Sequence, residues 1–452
     1  MSILDDMITQ VEASTSEIIE LEQKLVNIPS VNTGFMPTGN ETDVCRYVKE
    51  FLSKYGIDAE ILESAPNRGN LIARMDGSSG NAGLLFMSHT DVVPVEEENK
   101  WTYPPFEGRL VGDRIYGRGA SDCKGLLTAQ LMAMTILKRN GIQLRDGLIL
   151  ASGADEEHGG RYGFGWLAEN HPDKIMAPYA VNEGGGGTMD AAAGFTYTLG
   201  TGEKGRLQVE IDIKGESAHA SRPWQGINST FGLGKVIEGI EKYEAARDTS
   251  VEFFKYLSTF ALEYVATSQN IDGIIGEVEP KNKTLASVMR ALSRMTVTPT
   301  MVQGGIKSNS VPEHIRLTCD VRTLPHQDEN YLRQELDTIL KDIPGVEYQV
   351  DYMSVPNSSP FDTELSRAIK RSTARALEMD DIQIIPSIST GFTDSRFTRN
   401  LGIVTYGFSG AHPDDNVDNN IHGTNEFQSV KSLINSTKVM LILAYDMLVD
   451  TQ

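Results

Sequence analysis

Cysteine is scarce in this 452-residue chain. Cys45, Cys123 and Cys319 are odd in number and widely spaced, which argues against a disulfide framework and fits a reducing cytoplasm. Long apolar runs are missing as well. No stretch approaches the ~18 residues of a membrane span, and the start Met1-Ser2-Ile3-Leu4-Asp5-Asp6 lacks the basic-then-apolar order of a secretion signal. Positive charge is in deficit: 41 Lys and Arg face 62 Asp and Glu, a net charge of −21. Such a surface repels phosphate backbones and anionic lipid, so neither nucleic acid nor membrane is an expected partner. The excess acid serves solubility or is gathered around cations, and composition does not separate the two. Nucleotide-binding glycine signatures are absent too. Gly117-Arg118-Gly119-Ala120-Ser121-Asp122-Cys123-Lys124-Gly125 turns into an apolar helix, but with neither the dinucleotide nor the P-loop spacing.

What the chain does contain is a strong α/β texture. Apolar spacing predicts helices over 16–28, about 44–52, and 125–137, with short strands at 59–62, 70–75, 84–87, 147–152 and 179–181. The segment 101–117 reads as loop or hairpin. After about residue 200 the texture changes. Arg206–Lys214 alternates strictly, the mark of a strand with one wet face, and 313–322 does so again. Helices are expected over 230–243 and 329–343, while 244–283 has no clear pattern. From about Pro360 the first texture returns, with a helix over 363–377, strands at 382–385 and 403–406, and a last helix over 426–448. The expected fold is a mixed, mostly parallel α/β sheet flanked by helices, formed by residues 1–200 and 358–452. An α+β domain, 201–357, interrupts it.

Unusual polar residues sit at the ends of the apolar strands. His89 and Asp91 are two apart, so in extended chain they share a side. Asp155-Glu156-Glu157 follows the strand 147–152, where acids repel unless a cation or proton lies between them. In open α/β sheets, sites gather outside the carboxyl ends of strands. Asp122, Glu183 and His422 lie in comparable turns. His89, Asp122, Glu157, Glu183 and His422 thus supply two imidazoles and three carboxylates. A set of nitrogen and oxygen donors suits zinc, and also cobalt or manganese. Five donors exceed one open tetrahedral site but suit two ions that share a carboxylate and a water. Glu156, beside a candidate ligand, is placed to take a proton from that water.

The phrases Ser-His-Thr-Asp (88–91), Gly-Arg-Gly-Ala-Ser-Asp-Cys-Lys-Gly (117–125), Asp-Glu-Glu (155–157), Asn-Glu-Gly (182–184) and Ile-His-Gly-Thr-Asn-Glu (421–426) resemble one family over nearly the whole chain. It is the dinuclear zinc metallohydrolase family of aminoacylase, acetylornithine deacetylase, succinyl-diaminopimelate desuccinylase and carboxypeptidase G. The resemblance implies a zinc-exopeptidase-like fold with two Zn2+ per subunit, Asp122 bridging them. His89 and Glu183 would complete one ion and Glu157 and His422 the other. Glu156 would be the general base, and Asp91 would aim His89. In the inserted domain, His219 would stabilise the oxyanion, often from a partner subunit, and Asn309 and Arg322 would grip the substrate's carboxylate. Phe392 departs from the pattern, standing where the family commonly has a small residue.

The expected activity is hydrolysis of an amide next to a free carboxylate, in an N-acyl amino acid or short peptide. A hydroxide between the metals would be the nucleophile. A carbamoyl or ester hydrolase, or a binding protein on the same fold, are the alternatives. A homodimer is expected through the inserted domain, with the edge of Arg206–Lys214 free to pair across a two-fold axis.

Overall fold

The structure is a computed structural model that describes residues 2–192, 194–415 and 417–450. It divides into two compact units. One holds the chain up to Thr201, Ser359–Ser387, and the residues from Thr393 on; the other holds Gly202–Ser358 and Ile388–Phe392. The short return Ile388–Phe392 therefore lies in the second unit, outside the sequence range 201–357.

In the first unit the strands run in the order Ala59–Glu63, Gly69–Met75, Gly147–Gly153, Ala82–His89, Tyr179–Asn182, Val404–Gly407 and Gly194–Glu203. Ala82–His89 is parallel to both its neighbours, and Val404–Gly407 is parallel to Tyr179–Asn182. The first two strands join antiparallel. The central strands read as unbroken apolar runs because both their faces are covered. Leu84 and Phe86 pack to one side with helix Gly125–Arg139, while Leu85 and Met87 pack to the other with Phe164 and Leu167. Helix Gly125–Arg139 is buried from Gly125 to Leu137, so it is a core element rather than an amphipathic cover. Helix Val430–Leu448 packs beside it. The parallel arrangement brings His89, Gly153 and Asn182 to one edge of the sheet, at their strands' carboxyl ends.

The second unit is a four-stranded antiparallel sheet in the order Thr296–Gly304, His314–Thr323, Gly205–Lys214, Val346–Ser354. Leu207, Val209, Ile211 and Ile213 point to a core shared with Val236 and Ile240 of helix Ser229–Lys242 and Leu332 and Leu336 of helix Glu329–Ile339. Alternate residues form the polar face, as the strict period of two requires. Gly205–Lys214 is an interior strand with a neighbour on each side. The expectation that its edge stays free for a two-fold partner is therefore wrong; the outer strands are Thr296–Gly304 and Val346–Ser354.

Other boundaries move for physical reasons. A helix Ile3–Ala13 precedes the expected first one, started by a Ser2/Asp5 capping box and buried through Leu4, Met7 and Val11. The last helix begins at Val430, not 426. Phe427–Ser429 pairs instead with Arg114–Tyr116, and the Ser429 side chain caps the helix. The unpatterned 244–283 region holds a 3-10 stretch Glu252–Phe260 and a helix Ile271–Val278, short elements whose period is hard to read.

Leu131 is fully buried on Gly125–Arg139. Leu131→Ala is expected to lose about 3 kcal/mol from the transfer and cavity costs of a close-packed core. Urea unfolding measures it, and an unchanged midpoint would contradict the packing described.

Candidate metal centre

Ala82–His89 ends by delivering a buried imidazole. His89 Nδ1 lies 3.0 Å from the Asp91 carbonyl oxygen and 3.5 Å from Asp91 Oδ1. That contact fixes the ring and turns Nε2 toward Asp122 Oδ1 at 3.0 Å and Glu183 Oε1 at 3.6 Å. The Asp91 carboxylate has a second set of partners. It accepts from the Asn32 amide at 2.9 Å and from the backbone N–H groups of Glu156 at 3.1 Å and Glu157 at 3.2 Å. It thus ties the end of one strand to the loop after the next.

Asp122 sits where Gly117–Gly125 turns into the buried helix. Its Oδ1 faces His89, and its Oδ2 lies 3.1 Å from His422 Nε2. His422 Nε2 is also 3.1 Å from Glu157 Oε2. One carboxylate therefore has an oxygen toward each imidazole, with Glu183 on the His89 side and Glu157 on the His422 side. These five residues are brought together, and Glu156 is buried next to them.

Two residues to which the sequence reading gave no role hold this arrangement. Glu426 accepts the N–H groups of Ser121 and Asp122 at 3.0 and 3.2 Å. Arg118 donates to the other Glu426 oxygen at 2.6 Å and to the His422 carbonyl at 3.1 Å. Arg118 and Glu426 are almost fully buried, and they lock the Asp122 and His422 loops to each other. His422 has φ 61°, a left-handed conformation that few residues other than glycine adopt, and the Arg118 bond to its carbonyl helps fix it. Both residues stand inside phrases quoted above, but an Arg–Glu pair 308 residues apart leaves no local signal.

The acidic loop divides its work. Asp155, also left-handed at φ 68°, is no part of the cluster. It is neutralised by the buried Arg68 at 2.9 Å and held by Asn32 at 3.0 Å, and Arg68 in turn pairs with Glu41 at 2.8 Å. Among the described residues neither Glu156 nor Glu157 has a guanidinium partner, and Glu157 faces His422 instead. Burial pushes Glu156 well above the usual carboxylate range, with Asp394, Glu157 and Asp122 adding to it against His89. Burial raises Glu183 in the same way, helped by Asp122. Asp394 is itself buried, has no hydrogen-bond partner for either oxygen among the described residues, and is pushed up to about 7 by burial. His422 is pushed up to about 10 by its contacts with Asp122 and Glu157.

Crowded acids and imidazoles raised by them are what a site asks for when it is built to hold cations. Glu157 Oε1 is buried and, among the described residues, unpartnered. Donor atoms of His89, Asp122 and Glu157 all lie within 4.8 Å of one another. The nitrogen and oxygen set fits zinc, cobalt or manganese. His89, Cys123 and Glu183 form a second close group, but the Cys123 thiol is committed elsewhere. It accepts the His89 N–H at 3.2 Å, donates to the His89 carbonyl at 3.5 Å, and is pushed up to about 12 by burial. A cavity of about 350 Å³, lined in part by Leu126, His412, Val417 and Ile421, opens beside Asp122 and Glu183.

His219, Asn309 and Arg322 belong to the second unit. His219 is exposed, and its Nδ1 accepts the Ser221 N–H at 3.2 Å, which leaves Nε2 as the donor of the neutral ring. Asn309 is on the adjoining segment, its carbonyl accepting the Ala220 N–H at 3.0 Å. Arg322 makes a two-pronged pair with Asp320 at 2.7 and 3.1 Å and donates to the Thr390 carbonyl at 2.8 Å.

Glu426→Gln removes the counter-charge of a buried guanidinium. It is expected to destabilise the fold by about 3 kcal/mol and to weaken metal affinity about 10- to 100-fold. Thermal unfolding and chelator competition read the two effects, and wild-type values in both would remove the clamp from the account.

The chain is 28% identical over 389 residues to a probable succinyl-diaminopimelate desuccinylase of Staphylococcus aureus strain MRSA252, covering 84% of this chain and 86% of that one. Among solved structures it resembles an M20 family metallo-carboxypeptidase of Sulfolobus solfataricus, with TM-score 0.72, 23% identity and coverage of 94% and 98%. It also resembles a dinuclear metal binding peptidase of the M20 family from Bacillus subtilis, with TM-score 0.63, 15% identity and coverage of 97% and 99%. Residues 85–446 match the model of peptidase family M20/M25/M40, and they contain all five clustered donors as well as Glu156. The chain therefore belongs to this family of metal-binding hydrolases that act on amide bonds.

Proposed function

We propose that the protein is a two-metal amidohydrolase that cleaves the amide next to a free carboxylate in an N-acyl amino acid or short peptide. The observation that supports this most is Asp122, with one carboxylate oxygen toward His89 and the other toward His422. Asp122 would be shared by two ions, His89 and Glu183 completing one set and Glu157 and His422 the other. Zinc is the metal proposed, with cobalt or manganese as alternatives. Bound there, the ions would polarise the carbonyl and acidify water.

The chain's own groups do the rest. Glu156 takes a proton from the attacking water and delivers it to the leaving nitrogen; its raised affinity for a proton suits that relay. Asp91 fixes the ring of His89 and, through the N–H groups of Glu156 and Glu157, the loop that carries the base. His219 donates its Nε2–H to the developing oxyanion, and Asn309 and Arg322 hold the substrate's carboxylate. A cytoplasmic homodimer is the assembly proposed. Among the described residues no helix is long and apolar enough to cross a membrane, and Thr296–Gly304 leaves an exposed outer strand for a second copy.

The test is turnover of a panel of N-acyl amino acids and dipeptides, with metal content measured on the same samples. Glu156→Ala is expected to keep its metal and lose about 10²- to 10⁴-fold in kcat. Retained metal with near wild-type turnover would remove Glu156 as the base, and a wild-type enzyme that turns over no member of the panel would overturn the amidohydrolase reading. Loading the chelated protein with Zn2+ is expected to raise its melting temperature, since an ion bound only by the folded state stabilises it.

A further inference from the structure

Beside the clustered acids, the loop that starts at Gly410 is held by its backbone. Asn435 donates to the Gly410 carbonyl at 2.8 Å, and the Tyr197 hydroxyl donates to the Ala411 carbonyl at 2.7 Å. The His412 N–H donates to Ser432 Oγ at 3.1 Å. Tyr197 is fully buried, and Asn435 and Ser432 are almost so. The Asp415 N–H closes the turn onto the His412 carbonyl at 3.0 Å, and the Asp415 carboxylate accepts from Ser432 Oγ at 2.6 Å. A loop satisfied in this way presents its side chains in one arrangement.

The loop forms one wall of the cavity of about 350 Å³ beside Asp122, a volume within the roughly 300–1,000 Å³ of small-ligand pockets. Leu126, Val417 and Ile421 give it apolar lining. Its charged lining is acidic: Asp122, Glu183 and Asp415, with no lysine or arginine among the described residues. Ions held by Asp122 and Glu183 would offset those two charges, whereas Asp415 meets the Ser432 hydroxyl rather than a cation. Lys431, whose charge bears on His412, is paired with Asp414 at 2.7 Å. His412 also lines the cavity. Its Nδ1 accepts the Asp414 N–H at 3.2 Å, so the neutral ring carries its hydrogen on Nε2. No acceptor among the described residues takes that hydrogen.

We propose that this cavity takes the substrate's acyl group and selects an uncharged acyl chain over one that ends in a second carboxylate. Apolar walls favour a buried alkyl chain. A carboxylate in the same place loses its water, meets Asp415 and finds no guanidinium or ammonium to pair with. A carboxamide of the same shape keeps a partner, because His412 Nε2–H donates to its carbonyl oxygen. This rests on the amidohydrolase reading for the bond that is cut, and a direct binding arm keeps the two separable.

The experiment gives the zinc-loaded chain the N-butanoyl, N-succinamoyl and N-succinyl derivatives of one amino acid, three acyl groups of similar size that end in a methyl, a carboxamide and a carboxylate. The wild type is expected to prefer butanoyl to succinyl by about 100-fold in kcat/KM, with succinamoyl between them. His412→Leu should lower the succinamoyl-to-butanoyl ratio about 10-fold, the effect of one lost hydrogen bond. Val417→Arg places a cation on the exposed rim of the cavity and should raise the succinyl-to-butanoyl ratio about 10-fold. Thr188→Lys, on the opposite lining, should move the ratio the same way and serves if Val417→Arg does not fold. In the binding arm, sodium butanoate at matched ionic strength should raise the melting temperature of the zinc-loaded wild type more than sodium succinate does, and the added cation should narrow that gap. A wild type that prefers succinyl or treats the two alike, a ratio that neither added cation moves, or a succinate shift equal to the butanoate shift would overturn the proposal. If the wild type turns over no amide, the functional reading fails, and the binding arm still decides the charge preference of the cavity.

Discussion

The first unit's site hangs on one buried carboxylate. Asp91 accepts the N–H groups of Glu156 and Glu157 and the side-chain amide of Asn32, while its own carbonyl takes the ring of His89. Asn32 passes the connection to Asp155, and Arg68 joins Asp155 to Glu41. Two strand ends and a helix start are thereby fixed by a single run of buried polar contacts. In a low-dielectric interior such a run is rigid when complete and costly when any member is left unpaired. The imidazole and the acids it faces are therefore set by the scaffold.

That rigidity matters because the groups it holds repel one another. Asp122, Glu156, Glu157, Glu183 and Asp394 are carried to one place by the sheet's parallel strands and by loops that cross its edge. Where the protein supplies a cation, as Arg68 does for Asp155 and Arg118 for Glu426, the acid is a structural anchor. At Glu156, Glu157, Glu183 and Asp394 burial raises the affinity for a proton, while the two imidazoles hold Asp122 low against its burial. Part of the excess negative charge is gathered at this edge, and the rest is spread over the exposed surface.

Much of this was legible before any coordinates. Unbroken apolar runs announced buried strands, and the acids and histidines at their ends announced the cluster, because strand ends in such sheets converge. Strict alternation over Arg206–Lys214 revealed its two faces, but alternation says nothing about how many neighbours a strand has, so its interior position was hidden. The helix Ile3–Ala13 is signalled by Ser2, Asp5 and the spacing of Leu4, Met7 and Val11. Arg118, Glu426 and Asn32 were invisible for a different reason: their roles are contacts between distant segments.

The Arg118–Glu426 clamp joins residues 308 apart, and Phe427–Ser429 and helix Val430–Leu448 close onto elements formed by residues 114–139. The chain is synthesised from the other end, and the whole of Gly202–Ser358 emerges in between. Domains fold as units during synthesis, so the second unit can be complete on the ribosome while the first still waits for its final third. Until residues 422–448 have been made, His422 has no place and Asp122 no clamp. A prematurely terminated product therefore carries most of the acids and none of the assembled centre. The order of translation thus puts the assembly of the centre after that of the second unit.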